Sequence, residues 1–131
     1  MGIVTLIALL TAGAASAVAA RKAKTSGQPA VQFREYVHDF GHVPEKGGAI
    51  SHDFKFVNKG DGNYVIVDHT VECGCTRPDY PKDPIGPGKQ GKVRVTYNPI
   101  GRPGPFEKVV TLKTNGHPRK VKLKIKGYVD R

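Results

Sequence analysis

The sequence predicts an all-β fold, an immunoglobulin-like β-sandwich of about seven strands. Apolar residues recur at every second position in several short segments, and no segment shows the period of 3.6 residues that marks an amphipathic helix. Glycine (16 residues) and proline (10 residues) are frequent and supply turns between those segments. Short strands joined by glycine- and proline-containing loops are typical of such a sandwich.

The first 20 residues differ in composition from the rest of the chain. Residues 3–10 are a short apolar core, followed by small residues as far as Ala20. A helix needs about 20 apolar residues to span a bilayer, so this core is too short. With small-residue cleavage options at Ala15-Ser16-Ala17 and Ala17-Val18-Ala19, the segment resembles a secretory signal. An uncleaved anchor is the alternative, because no lysine or arginine precedes the apolar core.

These features divide the chain into three parts. Residues 1–20 are predicted to be a signal peptide or membrane anchor, 21–29 a polar linker and 30–131 the sandwich domain. We therefore expect export to the periplasm, the cell envelope or the medium, or else anchoring by the N-terminal segment. The formal net charge is +10 and residues 1–20 carry no charged side chain, so the positive excess lies in the remainder and favours anionic partners.

Strands are predicted before the cysteines from apolar residues at alternate positions. Residues 31–37 alternate imperfectly and lead into 40–43. The segment 50–56 has an apolar face made of Ile50, His52, Phe54 and Phe56. After a turn at 58–63, the segment 64–71 has one face made of Val65, Val67, His69 and Val71, and another made of Tyr64, Ile66 and Asp68.

The part of the chain after the cysteines begins with a proline-rich segment. Residues 77–88 contain four prolines and are predicted to form an extended loop, because proline cannot donate a ladder hydrogen bond in a central strand. Residues 93–97 and 106–114 are predicted strands. Asn115-Gly116 is a strong hairpin signal that leads to a last strand at 121–129.

The stretch Val71-Glu72-Cys73-Gly74-Cys75-Thr76 holds the only two cysteines of the chain. If the preceding strand continued through it, His69, Cys73 and Cys75 would point to one face. Two thiolates with an imidazole suit Cu(I), so these three residues are the predicted metal ligands and copper is the cofactor that they would bind.

Two other interpretations of the cysteines remain open. In the first, which we favour, both are small apolar residues packed at a strand end. In the second they form a disulfide, which an oxidising compartment favours. Same-face Cα atoms in a flat strand lie roughly 6.5–7 Å apart and a disulfide wants roughly 4.4–6.8 Å, so Gly74 would have to bend the chain. Thiol catalysis is disfavoured, since no helix N-terminus is predicted here.

A row of lysines marks the last strand. Lys120, Lys122, Lys124 and Lys126 alternate with apolar residues and therefore share one face. We interpret them as solvated side chains that protect a sheet edge. The alternative is attraction to an anionic surface. Nucleic acid is not expected, because no aromatic residues interleave with the lysines to stack on bases.

No enzyme is predicted. The sequence offers no Ser-His-Asp set, no paired carboxylates and no phosphate-binding glycine loop. His52 is predicted to be a hydrogen-bonded core residue, and His38, His42 and His117 fall near turns without a ligand spacing.

An ordered series of short motifs carries a resemblance to one family. The series is Phe40-Gly41, His52-x-Phe54-x-Phe56-x-Asn58-x-Gly60, Cys73-Gly74-Cys75-Thr76, Pro84-Ile85-x-Pro87-Gly88, Val95-x-Tyr97-Asn98, Thr114-Asn115 and Gly127. It resembles the secreted bacterial family catalogued as domain of unknown function 1573, over roughly residues 31–129. The resemblance implies an immunoglobulin-like fold akin to major-sperm-protein modules and export in bacteria, and it implies no established activity.

The sequence therefore predicts a non-catalytic exported module that binds or scaffolds a protein or a cell-envelope component. The alternative is a Cu(I)-handling or thiol-redox protein that uses Cys73 and Cys75 with His69. The first hypothesis expects buried cysteines and a histidine turned elsewhere. The second expects accessible sulfurs within reach of His69.

Overall fold

The computed structural model describes residues 27–131, so the predicted signal segment and most of the predicted linker lie outside the described residues. The strands are β1 (Val31–Phe33), β2 (Val37–Pro44), β3 (Ile50–Asn58), β4 (Ile66–Val71), β5 (Thr76–Asp79), β6 (Gln90–Tyr97), β7 (Gly104–Thr114) and β8 (Lys120–Asp130). A single 3-10 turn, Glu45–Gly47, separates β2 from β3. Residues 27–131 contain no helix of the length and apolarity needed to cross a membrane.

The strands form two four-stranded sheets that pack as a sandwich. One sheet has the order β1-β3-β6-β5 and the other has the order β2-β8-β7-β4. Neighbouring strands are antiparallel except β2 and β8, which are parallel. The predicted all-β sandwich is confirmed, with eight strands among residues 27–131 rather than the predicted seven or so.

The core lies between the sheets because alternate side chains of each strand face inward. Phe54 and Phe56 of β3 are buried as the sequence predicts. Tyr97 of β6 stacks on Phe106 of β7, with ring centroids 4.1 Å apart, so an aromatic pair spans the two sheets. His52, predicted to be a core residue, is only half-buried and lies at the margin of this core.

The proline-rich segment contains a strand that the sequence analysis assigned to a loop. β5 pairs only with β6 and is an edge strand. An edge strand tolerates proline because one of its sides needs no ladder donor. Pro78 is buried there, and the remainder of the segment is held by an isolated bridge between Tyr64 and Ile85.

β4 departs from the predicted alternation. Its register against β7 shifts between Ile66 and Asp68, and the irregularity reverses the two faces. Tyr64 and Ile66 are therefore buried, whereas Val67 is 62% exposed. After the shift, His69 is the register partner of the buried Leu112. Of the predicted face, His69 and Val71 therefore point inward, whereas Val67 points to solvent.

β2 contains a second register shift, located between Asp39 and His42. Gly41 adopts φ +70° within it, a conformation that favours glycine. The Asp39 carboxylate accepts a hydrogen bond from the Gly41 amide at 2.8 Å. Because the shift reverses the alternation, His38 packs toward the inside of the sandwich whereas His42 is exposed.

The strand that carries the lysine row lies inside its sheet. β8 is hydrogen-bonded to β2 on one side and to β7 on the other. The interpretation of Lys120, Lys122, Lys124 and Lys126 as edge protection is therefore wrong, since β8 has no free edge. The hairpin signal at Asn115-Gly116 is confirmed by the antiparallel pairing of β7 with β8.

Asn58, at the end of β3, is a fully buried polar residue that joins separate segments. Its Nδ2 donates hydrogen bonds to the carbonyl oxygens of Gly62 (2.7 Å) and Ile85 (2.9 Å). Its Oδ1 accepts hydrogen bonds from the amides of Gly60 (3.0 Å) and Ala30 (3.3 Å). One amide side chain thus fixes the β3–β4 turn, the proline-rich loop and the approach to β1.

We expect Asn58→Ala to lower the free energy of unfolding by about 2–4 kcal/mol, because four hydrogen bonds to a buried side chain are lost. Urea denaturation monitored by circular dichroism measures the change. Asn98→Ala is the matched control, since Asn98 is exposed and its side chain accepts one hydrogen bond, from the Ile100 amide. The control should lose less than about 1 kcal/mol. Equal losses in the two variants would contradict the role assigned to Asn58.

Candidate functional site

The sandwich leaves a seam between its sheets on each lateral side. On one side β4 lies next to β5, and we call this the β4–β5 seam. On the other side β2 faces β3, and we call this the β2–β3 seam. The cysteines and the histidine cluster lie at these two seams. The lysine row lies on the outer face of the β2-β8-β7-β4 sheet.

Cys73 and Cys75 occupy the turn by which the chain passes from β4 in one sheet to β5 in the other. They are joined by a disulfide, with Cα atoms 5.3 Å apart. The strand does not continue through the motif, because β4 ends at Val71 and residues 72–75 turn. That turn brings the Cα atoms within the usual range for a disulfide. Of the interpretations left open by the sequence, the structure adopts the disulfide.

Backbone and carboxylate contacts fix this turn. The Cys75 amide donates a hydrogen bond to Cys73 Sγ at 3.2 Å, and the Asn98 amide donates to the Cys75 carbonyl at 2.9 Å. Glu72 Oε1 accepts a hydrogen bond from the Val109 amide of β7 at 2.9 Å. Cys75 is buried in the core and Cys73 is half-buried, so one sulfur lies nearer to solvent than the other.

His69, the third predicted ligand, makes its side-chain contacts with Tyr80. His69 Nδ1 and the Tyr80 hydroxyl are joined by a hydrogen bond of 2.8 Å, and the two rings meet edge to face. Burial, together with the nearby Asp68 carboxylate, raises the pKa of Tyr80, so its hydroxyl stays protonated at neutral pH. No hydrogen bond of His69 in the described part of the chain involves a sulfur. Copper binding by these residues stays a prediction, and it requires reduction of the disulfide.

The β2–β3 seam holds a cluster that the sequence analysis did not find. His38 of β2 and His52 of β3 stack with ring centroids 3.6 Å apart and an interplanar angle of 5°. Glu35, in the link between β1 and β2, places Oε2 2.8 Å from His52 Nε2. One potential ligand atom from each of these three residues lies within 4.8 Å of the others, and within residues 27–131 no other such group occurs.

Burial lowers the pKa of His38, and the adjacent His52 lowers it further, against the opposing influence of Glu35 and Asp39. The folded state therefore favours the neutral form of the His38 ring. Two stacked imidazoles at this spacing would repel each other if both were protonated. One signal in the sequence pointed to this cluster. His52 lies on an otherwise apolar strand face, where a histidine side chain needs a polar partner.

The outer face of the β2-β8-β7-β4 sheet carries the lysine row. Lys120, Lys122 and Lys126 are exposed, and Lys124 is half-buried with its Nζ 2.6 Å from Glu107 Oε2. The Lys124 ammonium lowers the pKa of Glu107, so that carboxylate remains ionised. The ion pair of Lys124 with Glu107 anchors the middle of the row. Lys126 lies in register between two acidic residues, Glu107 of β7 and Asp39 of β2.

Comparison with solved structures shows the same fold in proteins of low sequence identity. A protein of unknown function from Porphyromonas gingivalis W83 has a TM-score of 0.68 at 16% identity, covering 82% of this chain and 50% of that one. The ASH/PapD-like domain 7 of human CEP192 has a TM-score of 0.58 at 13% identity, covering 98% and 96%. The Vibrio cholerae VesB protease has a TM-score of 0.57 at 13% identity, covering 86% and 35%. At these identities the likeness is one of fold alone.

The chain spans half the length of the Porphyromonas protein and about a third of the VesB chain. No curated protein matches the sequence. A family model described as protein of unknown function (DUF1573) matches residues 31–129, from the first residue of β1 almost to the end of β8. This match agrees with the resemblance carried by the ordered motifs, and the chain belongs to the DUF1573 family.

Proposed function

We propose that the chain is a non-catalytic exported module that attaches to an anionic surface of the cell envelope through the outer face of its β2-β8-β7-β4 sheet. The observation that carries this proposal is the position of the lysine row in the interior of a sheet. A central strand needs no protection against pairing, so edge protection does not explain why this strand carries four lysines on one face.

The geometry of the row suits an extended anionic partner. Alternate residues of a strand repeat every 6.5–7 Å or so, and four lysines therefore span about 20 Å. Val37 of β2 pairs with Lys124 and is 46% exposed, and Tyr128 of β8 is 44% exposed. Apolar and tyrosine side chains next to lysines are typical of surfaces that meet lipid headgroups.

The histidine contacts support a non-catalytic role. His42 and His52 contact carboxylates, and His69 contacts a tyrosine hydroxyl. None of these hydrogen bonds activates a serine, threonine or cysteine nucleophile, which is the arrangement that acyl-transfer chemistry requires.

We expect the triple variant Lys120→Gln, Lys122→Gln, Lys126→Gln to bind anionic vesicles about a hundredfold more weakly than the parent chain, since each lysine at such a surface contributes about 1 kcal/mol. Co-sedimentation of the full chain with vesicles that contain or lack anionic lipid measures the partition coefficient. Added salt should weaken the binding of the parent chain and have little effect on the variant.

The control triple variant Lys55→Gln, Arg77→Gln, Lys89→Gln removes the same charge from exposed positions on or beside the other sheet. It should change vesicle binding by no more than about threefold, because its cations lie away from the proposed face. Equal weakening by both triple variants would show that net charge, not this face, determines binding.

The thiol-redox alternative is favoured by one observation. Cys73 and Cys75 form a disulfide, and Cys73 is only half-buried. A bond that closes so short a loop removes little entropy from the unfolded chain. We therefore expect the fold to persist when the disulfide is reduced, as a reversible redox function would require.

We expect reduction to lower the free energy of unfolding by no more than about 2 kcal/mol, given the length of the loop. Urea denaturation with and without reductant measures the change, and intact mass verifies the redox state. The double variant Cys73→Ser, Cys75→Ser should be insensitive to reductant. A chain that unfolds on reduction would exclude the redox role, because the disulfide would then be a structural requirement.

A further inference from the structure

We propose that Glu35, His38 and His52 form a binding site for a divalent transition-metal ion of the zinc type at the β2–β3 seam. The three side chains come from the β1–β2 link, from β2 and from β3, so a bound ion would join the two sheets. This site is separate from the lysine row and from the cysteines, and the proposal does not depend on the function proposed above.

The donor set matches the chemistry of zinc. Zn²⁺ in proteins binds imidazole nitrogen and carboxylate oxygen, and two histidines with one glutamate form a recurrent three-ligand set that leaves a fourth position for water. The other common way to bury such groups is an ion pair between one histidine and one carboxylate. Here a second imidazole is stacked on the first, which such a pair does not require.

The distances are compatible with coordination after a small adjustment. Ligand atoms about 2.0–2.2 Å from a tetrahedral ion lie about 3.4 Å from one another. The three potential ligand atoms already lie within 4.8 Å of one another, and His52 Nε2 is 2.8 Å from Glu35 Oε2. An ion would replace the hydrogen that the last two atoms share. The stacked rings would tilt from their parallel orientation so that their lone pairs converge.

Both rings are held from behind by aromatic side chains. His38 packs edge-on against Phe40 with ring centroids 4.6 Å apart, and His52 packs edge-on against Phe54 at 4.9 Å. This packing holds the two imidazoles next to each other and next to Glu35, so coordination would require only that the rings tilt out of the stack. The side chains of His52 and Glu35 remain 23% and 41% exposed, which leaves a path for an ion from solvent.

The surrounding charges favour a cation. Glu35 supplies one negative charge, and Asp39 lies close enough to act electrostatically on His38. Asp53 follows His52 on β3 and forms an ion pair with Arg94, whose Nε is 2.8 Å from Asp53 Oδ1. The guanidinium is thus neutralised by its own partner rather than directed at the Glu35 carboxylate.

A second histidine–carboxylate pair in the chain provides a matched control. His42 Nδ1 lies 3.0 Å from Asp130 Oδ1, with side chains 71% and 50% exposed. This pair resembles His52 and Glu35 in chemistry, but it belongs to no group of three ligands among the described residues. It should therefore not bind the ion measurably.

The test is a titration of the full chain, with its disulfide intact, by Zn²⁺ in calorimetry and by Co²⁺ in visible absorption. We expect one ion per chain and a Co²⁺ spectrum without thiolate charge-transfer bands. Glu35→Gln, His38→Gln and His52→Gln should each weaken binding at least about tenfold, and His42→Gln should change it by less than about twofold.

Absence of saturable Zn²⁺ binding would overturn the proposal. It would also be overturned if Glu35→Gln and His38→Gln bound the ion as tightly as the parent chain, since the ion would then lie elsewhere. Glu35 is outside the packed core, so Glu35→Gln remains informative even if a histidine variant fails to fold. Circular dichroism of each variant identifies such a failure.

Discussion

The alternation of side chains between two sheets is the constraint on which the rest of this structure depends. Each strand gives one face to a closely packed core, where Tyr97 stacks on Phe106 across the sheets. Interiors packed in this way contain few voids larger than a water molecule. Apart from buried hydrogen-bonding residues such as Asn58, the polar groups discussed above lie on an outer face or at the two seams where the sheets end. The lysine row, the disulfide turn and the histidine cluster each occupy one of those places.

The three places differ in their physical surroundings. The lysine row lies on the outer face of a sheet, with a neighbouring strand on each side, and we propose that this face contacts an extended anionic surface. The disulfide closes a turn between edge strands, with Cys75 buried in the core and Cys73 only half-buried. The cluster of Glu35, His38 and His52 joins opposite sheets, so a ligand bound there would act on their relative position.

The sequence predicted the fold because period-two apolar patterns and turn residues are local signals. It could not show which strands would be edges, and for that reason β5 was assigned to a loop and the lysine strand to an edge. The two register shifts could not be predicted either. An extra residue in a strand reverses which side chains face inward, and the apolar or polar character of the residues does not reveal where this happens. His38 and His52 meet only because β2 and β3 lie in facing sheets, a contact that no local pattern encodes.

The account depends most on the claim that the outer face of the β2-β8-β7-β4 sheet binds anions. Amide chemical shifts of the full chain, followed by nuclear magnetic resonance during titration with a soluble short-chain anionic phospholipid, test that claim residue by residue. The account predicts changes concentrated on β8 around Lys122 and Lys126 and on the adjacent Val37. Changes concentrated on β3 and β6 of the opposite sheet, or spread evenly over both sheets, would contradict it.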